Sequence, residues 1–88
     1  MQKFEIVYTK TFTDDLQKLI KSDSSLKSKI KNAIEKLKFF PYAGQRVEAS
    51  ELAQRRIWVG DNYRLFYDTE GDKVIILHLK KKDKHTYK

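Results

Sequence analysis

The chain has 88 residues, a length typical of one domain, and we expect a single domain over residues 1–88. Cysteine is absent, which excludes disulfides and thiolate metal sites, and no apolar run approaches the roughly 20 residues of a membrane span. The formal net charge is +7. We therefore expect a soluble, cytoplasmic protein with an anionic partner, most often nucleic acid, although Lys-rich surfaces also keep small domains soluble.

The N-terminal half predicts one strand and two helices. Residues 3–8 alternate between apolar and polar side chains, which indicates a half-buried strand. Thr11 or Thr13 can cap the next helix, and residues 22–25 separate it from a second amphipathic helix of about 14 residues that ends before Pro41. The apolar positions of the two helices are Phe12, Leu16, Leu19 and Ile20, then Leu26, Ile30, Ala33, Ile34 and Leu37.

The C-terminal half predicts three strands after an irregular stretch at residues 42–53. Residues 55–59 and 63–68 form a hairpin around a turn that contains Gly60. Residues 73–79 are the most continuously apolar segment, so we expect a strand buried on both faces. The resulting order is β-α-α-β-β-β. It predicts an α+β fold with a helix hairpin on one face of a small, mostly antiparallel four-stranded sheet.

The candidate functional residues are cationic. Arg56 and Arg64 lie on the two arms of the hairpin, and Lys80, Lys81 and Lys82 follow the last strand. Side chains of this kind bind phosphates electrostatically, and Arg adds bidentate hydrogen bonds. Two alternatives need no nucleic acid: Arg64 can pair with Asp61 or Asp68, and the lysines can form a solvated tail.

The other chemically notable side chains have ordinary structural interpretations. We expect Trp58 to pack in the core or the hairpin rather than to stack on a base. His78 lies inside the most apolar strand, where we expect a structural role. Neither a phosphate-binding glycine loop nor a metal-ligand motif occurs, so we expect neither a cofactor nor a metal.

The hairpin carries a family resemblance. Residues 55–67, with the sequence RRIWVGDNYRLFY, resemble the R-x-(x)-V-G-x-Y-R-x-x-Y signature of the RelE/ParE toxin superfamily of type II toxin–antitoxin systems. The β-α-α-β-β-β order, the short length and a C-terminal Tyr agree with it. RelE-like members are ribosome-dependent endoribonucleases that cleave mRNA in the decoding site and arrest translation. ParE-like members inhibit DNA gyrase and lack a nuclease site. Members of both branches are held inactive by a cognate antitoxin.

The resemblance implies the roles of particular residues. Arg64, Arg56, Lys81 and Tyr87 match the catalytic positions of RelE-like toxins, with Arg55 as the alternative to Arg56. The remaining residues expected to contact RNA are Arg46, Arg55, Lys80, Lys82, Lys84 and His85. The retained Tyr87 favours a metal-independent endoribonuclease with a RelB-like antitoxin that wraps the toxin with its helices. A gyrase inhibitor and a small non-catalytic RNA-binding domain remain the alternatives.

Overall fold

The computed structural model describes residues 3–47 and 53–82. The predicted α+β class and the predicted succession of one strand, two helices and a strand meander are confirmed. The elements are β1 (Glu5–Tyr8), α1 (Lys10–Ser22), α2 (Leu26–Phe39), β2 (Gln45–Arg46), β3 (Arg55–Val59), β4 (Tyr63–Glu70) and β5 (Lys73–Lys81).

Within the described residues the sheet has five strands in the order β1-β5-β4-β3-β2, so the predicted count of four is wrong. The additional strand is β2, whose Gln45 and Arg46 pair antiparallel with Arg56 and Arg55. Two residues inside an irregular segment show no alternation from which a strand could be predicted. The sheet is mixed because β1 runs parallel to β5, whereas every other pairing is antiparallel.

Helix α1 begins directly after β1, and Thr9 caps it in place of Thr11 or Thr13. The Thr9 hydroxyl accepts a hydrogen bond from the Phe12 backbone N–H at 3.2 Å and donates one to the Ile76 carbonyl at 2.7 Å. The cap therefore also fixes the start of α1 to the central strand β5. The sequence spacing alone does not reveal this second contact.

Both helices cover the same face of the sheet, with α1 over β5 and α2 over β3. We call this the helix face, and the opposite side the open face. The predicted apolar stripe of α2 is buried throughout. The core between the layers contains Phe12, Leu26, Ile30, Ala33, Ile34, Leu37, Val59, Tyr63, Leu65, Tyr67, Val74, Ile76 and Leu79.

Strand β5 contains an irregularity that changes which of its residues share a face. Phe66 pairs with His78, but the next residue of β4, Tyr67, pairs with Ile76, so Leu77 is an extra residue in β5. A bulge of this kind shifts the alternation of side chains by one position. Strand β5 is also less buried than predicted, because its open-face residues Ile75 and His78 are only half-buried.

Candidate nucleic-acid interface

Five side chains form the feature that we call the cationic patch: Arg56, Trp58, Arg64, Lys80 and Lys82. In the register of the sheet, Trp58 pairs with Arg64 and Arg64 with Lys80, which places these three in one row across β3, β4 and β5. Cross-strand partners of this kind have Cβ atoms about 5 Å apart and share a face. The row lies on the open face.

Arg64 is the centre of the row. Its guanidinium carbon lies 5.8 Å from the centre of the Phe66 ring, two residues along the same strand. Within residues 3–47 and 53–82 the ion pairs are Lys10–Asp14 and Lys38–Glu35, so the alternative that Arg64 pairs with Asp61 or Asp68 is wrong. The Arg64 Nε atom is buried and makes no hydrogen bond. The charge is thus held in place without an anionic partner.

Arg56 lies beside Arg64 on the open face, in register with Phe66. Its guanidinium donates to Gln45 Oε1 at 3.5 Å, while its buried Nε has no hydrogen-bond partner. Phe66 is only 4% exposed, although it lies on the face without helices. We infer that the stems of Arg56 and Arg64 cover this ring and are positioned by it.

Arg55 and Arg46, which we predicted to contact RNA, lie on the other face. Arg55 is in register with the core residue Tyr67, and Arg46 is in register with Arg55. Arg55 donates a hydrogen bond to the Gly44 carbonyl at 3.1 Å, and its guanidinium lies 5.2 Å from the Tyr42 ring centre. Between the two candidates Arg55 and Arg56, the structure therefore places Arg56 beside Arg64.

The three consecutive lysines are divided between the faces. Lys80 pairs with Arg64, whereas Lys81 pairs with Tyr63 on the helix face. Lys82 returns to the open side: its backbone N–H donates to the Asn62 carbonyl at 2.6 Å, and its Nζ lies 5.9 Å from the Trp58 ring centre. The structure thus brings Lys80 and Lys82 to the patch, but not Lys81.

Trp58 is 46% exposed, so of the two expected positions, core and hairpin, the core is excluded, and the ring lies on the hairpin beside Arg64. Its neighbours explain the exposure: β2 begins at Gln45, which pairs with Arg56, so no strand of the described residues lies beside the last part of β3. A groove runs between this part of β3 and α2, lined by Trp58, Lys29, Asn32 and Lys36 among others. An aromatic ring surrounded by cations can stack on an unpaired base.

His78 also lies on the open face. It is half-buried and lies in register with Phe66, in the same row as Arg56. We predicted a purely structural role from its apolar surroundings in the sequence. The bulge at Leu77 places its side chain on the open face, next to the cationic row.

Lys84, His85 and Tyr87 lie outside the described residues. Within the described part of the chain, His, Asp and Glu side chains do not form any group of three that could hold a metal ion. Neither helix in this part combines the length and the apolar character of a membrane span.

The comparisons with known proteins agree with the architecture. The family model of the ParE toxin of the type II toxin–antitoxin system parDE matches residues 6–85. The solution structure of the conserved hypothetical protein HP0894 from Helicobacter pylori has the same fold, with a TM-score of 0.68 over 89% of this chain and 93% of that one. The two sequences are 18% identical. A search of curated proteins found no match.

A two-helix hairpin on one face of a strand meander, with a cationic patch on the other, defines a toxin fold of the RelE/ParE superfamily. Because the family model covers nearly the whole sequence, the chain belongs to the ParE toxin family of type II toxin–antitoxin systems. Membership implies a cognate antitoxin as partner.

Proposed function

We propose that this toxin is a ribosome-dependent endoribonuclease that cleaves mRNA and thereby arrests translation. The observation that supports it best is the pair Arg56 and Arg64, which lie on neighbouring strands of the open face. Both side chains are half-buried, and neither has an acidic partner within the described residues. Two positioned guanidinium groups without an acidic partner fit the non-bridging oxygens of a phosphodiester.

The reaction follows from the chemistry of RNA. The ribose 2′-oxygen attacks the adjacent phosphorus and forms a new P–O bond, the bond to the 5′-oxygen breaks, and a 2′,3′-cyclic phosphate remains. A base takes the 2′-OH proton and an acid gives a proton to the leaving 5′-oxygen. Arg64 stabilises the negative charge on the non-bridging oxygens in the transition state, and Arg56 helps to position the strand. The resemblance places Tyr87 among the catalytic residues, which makes it a candidate for the base.

The lysines contribute differently according to their faces. Lys80 is the register partner of Arg64 and adds positive charge on the same row. Lys81, which the resemblance places among the catalytic residues, lies on the helix face in register with Tyr63. Under this proposal, Lys80 binds the RNA backbone near the scissile phosphate. A direct role of Lys81 requires the RNA to pass around the end of β5.

Gyrase inhibition without nuclease activity is the second candidate, because the family model that matches is that of ParE toxins. In that case the cationic patch does not need to contact RNA, and its cations contribute to binding of the target but not to catalysis. The two candidates differ in the target that the toxin damages. They can be distinguished without knowledge of the antitoxin sequence.

The test combines cells and purified components. Induced expression should stop incorporation of labelled amino acids within minutes, without an early DNA-damage response. The purified toxin added to ribosomes programmed with mRNA should give 5′ fragments that end in a 2′,3′-cyclic phosphate and 3′ fragments that begin with a 5′-hydroxyl. Gyrase should supercoil DNA normally in its presence. Intact mRNA on the ribosome together with inhibited supercoiling would reject the proposal in favour of gyrase inhibition.

A further inference from the structure

Trp58 combines three properties that are independent of the nuclease assignment. It is the one Trp of the sequence, its ring is 46% exposed, and it lies on β3 where no strand of the described residues adjoins the outer edge. Of the large exposed apolar side chains in the described residues, it alone is on the open face of the sheet. The others are Tyr8, Phe39, Phe40 and Tyr42.

The surroundings of the ring are cationic. Arg64 is its cross-strand partner, and Lys82 Nζ is 5.9 Å from its centre. Lys29 and Lys36 of α2 line the adjoining groove, and that groove has no acidic lining residue within the described chain. A protein partner that buried an apolar ring here would also have to bury or pair these charges, which costs free energy. A nucleic acid supplies both an apolar base and the opposite charge.

We propose that Trp58 stacks on an unpaired base of the RNA strand whose phosphate is held by Arg64. This inference rests on the proposed RNA-binding role of the open face and names the group that engages the base. Trp58 and Arg64 are direct neighbours across two strands, so one side chain can contact a base while the other contacts the backbone next to it. Stacking would accept any base, because each has a π face.

The stacking makes a quantitative prediction. Loss of one base–aromatic stack weakens single-strand binding by about 5- to 150-fold. Trp58→Leu should show such a loss, and Trp58→Phe should retain much of the affinity because it keeps a ring. Phe40→Leu is the matched control, since Phe40 is 54% exposed but does not lie on the open face. It should bind like the parent protein.

The experiment uses Trp58 as its own reporter. A labelled, non-self-complementary RNA of about ten nucleotides, within the range that one single-strand site covers, is titrated with the full chain. Anisotropy measures binding and intrinsic fluorescence measures stacking on the Trp ring. A second strand has the same ribose–phosphate backbone but no bases. The comparison of the two strands uses unaltered protein, so it stands even if Trp58→Leu does not fold.

We expect salt-dependent binding of both strands, tighter binding of the strand with bases, and fluorescence quenching by that strand alone. Equal affinities without quenching would overturn the stacking and leave RNA binding intact. Absence of binding by either strand would overturn both. Trp58→Leu that binds RNA normally but fails to bind the cognate antitoxin would also overturn the stacking, and would make Trp58 a protein contact.

Discussion

Arg64 and Phe66 lie two residues apart on β4, and the guanidinium of the first is 5.8 Å from the ring centre of the second. The ring is almost fully buried, although no helix covers it. This arrangement limits the freedom of the Arg side chain without neutralising its charge. A cation that is fixed before the ligand arrives loses less conformational entropy on binding than a free surface side chain does.

Arg64→Ala should abolish most cleavage while leaving the fold intact. Removal of one preorganised charge-stabilising donor raises an activation barrier by about 3–4 kcal/mol, which is a rate loss of roughly a hundredfold or more. Because Arg64 has no ion pair within the described residues, its removal should shift Tm by only a few degrees. The measurements are mRNA cleavage on programmed ribosomes and circular dichroism melts.

Two variants control for simple loss of charge. Arg64→Lys keeps the charge but not the bidentate geometry and should restore only part of the rate. Arg46→Ala removes the same residue type from β2, an edge strand, on the opposite face. Its effect should be several times smaller. A folded Arg64→Ala that cleaves at the parental rate, or an equal loss in Arg46→Ala, would contradict the assignment.

The fold could be predicted wherever the spacing of apolar residues along the sequence shows which side chains are buried. The stripe from Leu26 to Leu37 and the turn at Gly60 each determine one element locally, and both occur as predicted. Thr9 was not identifiable as the cap of α1, because the deciding contact is with Ile76, 67 residues away. The same reason applies to β2, which exists only through its pairing with β3.

The site was harder to predict. The alternation of side chains along a strand shows which residues share a face of the sheet, but it does not show which of the two faces the helices cover. This is why Trp58 was expected to pack in the core or the hairpin. The bulge adds a second difficulty: regular alternation from Val74 and Ile76 would put Lys80 on the helix face and Lys81 on the open face. The extra residue Leu77 reverses the two. No sequence signal in β5 marks this position.

Lys80→Ala should therefore weaken RNA binding and cleavage more than Lys81→Ala does. The two residues are adjacent, both exposed and chemically identical, so they form a matched pair that differs only in the face of the sheet. Loss of one phosphate contact on a single strand reduces the slope of log affinity against log salt by about 0.7. Salt titrations should show this change for Lys80→Ala and not for Lys81→Ala. The opposite order would favour Lys81 as the family resemblance assigns it.

Tyr67→Phe should destabilise the protein without changing its RNA affinity. The Tyr67 hydroxyl, in the core, accepts a hydrogen bond from the Gly44 backbone N–H at 2.8 Å, and Gly44 is itself buried. Loss of the hydroxyl leaves that N–H unsatisfied, which costs about 1–3 kcal/mol of unfolding free energy. Urea unfolding measures the change. Tyr42→Phe, the same substitution at a ring that is 58% exposed, should change stability by less than about 0.5 kcal/mol.

Asp23 should make the free energy of unfolding depend on pH. Its carboxylate accepts hydrogen bonds from the Ser25 hydroxyl at 2.6 Å and from the Tyr63 hydroxyl at 3.1 Å, and these bonds lower its pKa below the ordinary 3.8. The folded protein thus favours the ionised form. The stabilisation is fully present at a pH above the pKa that the Asp23 carboxyl has in the unfolded chain. It is lost as the pH falls through the lower pKa that this carboxyl has in the folded protein.

Asp23→Asn should therefore be less stable than the parent at neutral pH, and the difference should shrink as the pH falls below about 4. The other carboxylates titrate in both proteins, so they largely cancel in the comparison. Urea unfolding at a series of pH values between 7 and 2.5 measures the two curves, with Asp61→Asn in the exposed hairpin turn as the matched control. Parallel curves for Asp23→Asn and the parent would mean that the Ser25 and Tyr63 hydrogen bonds do not favour the ionised carboxylate in solution.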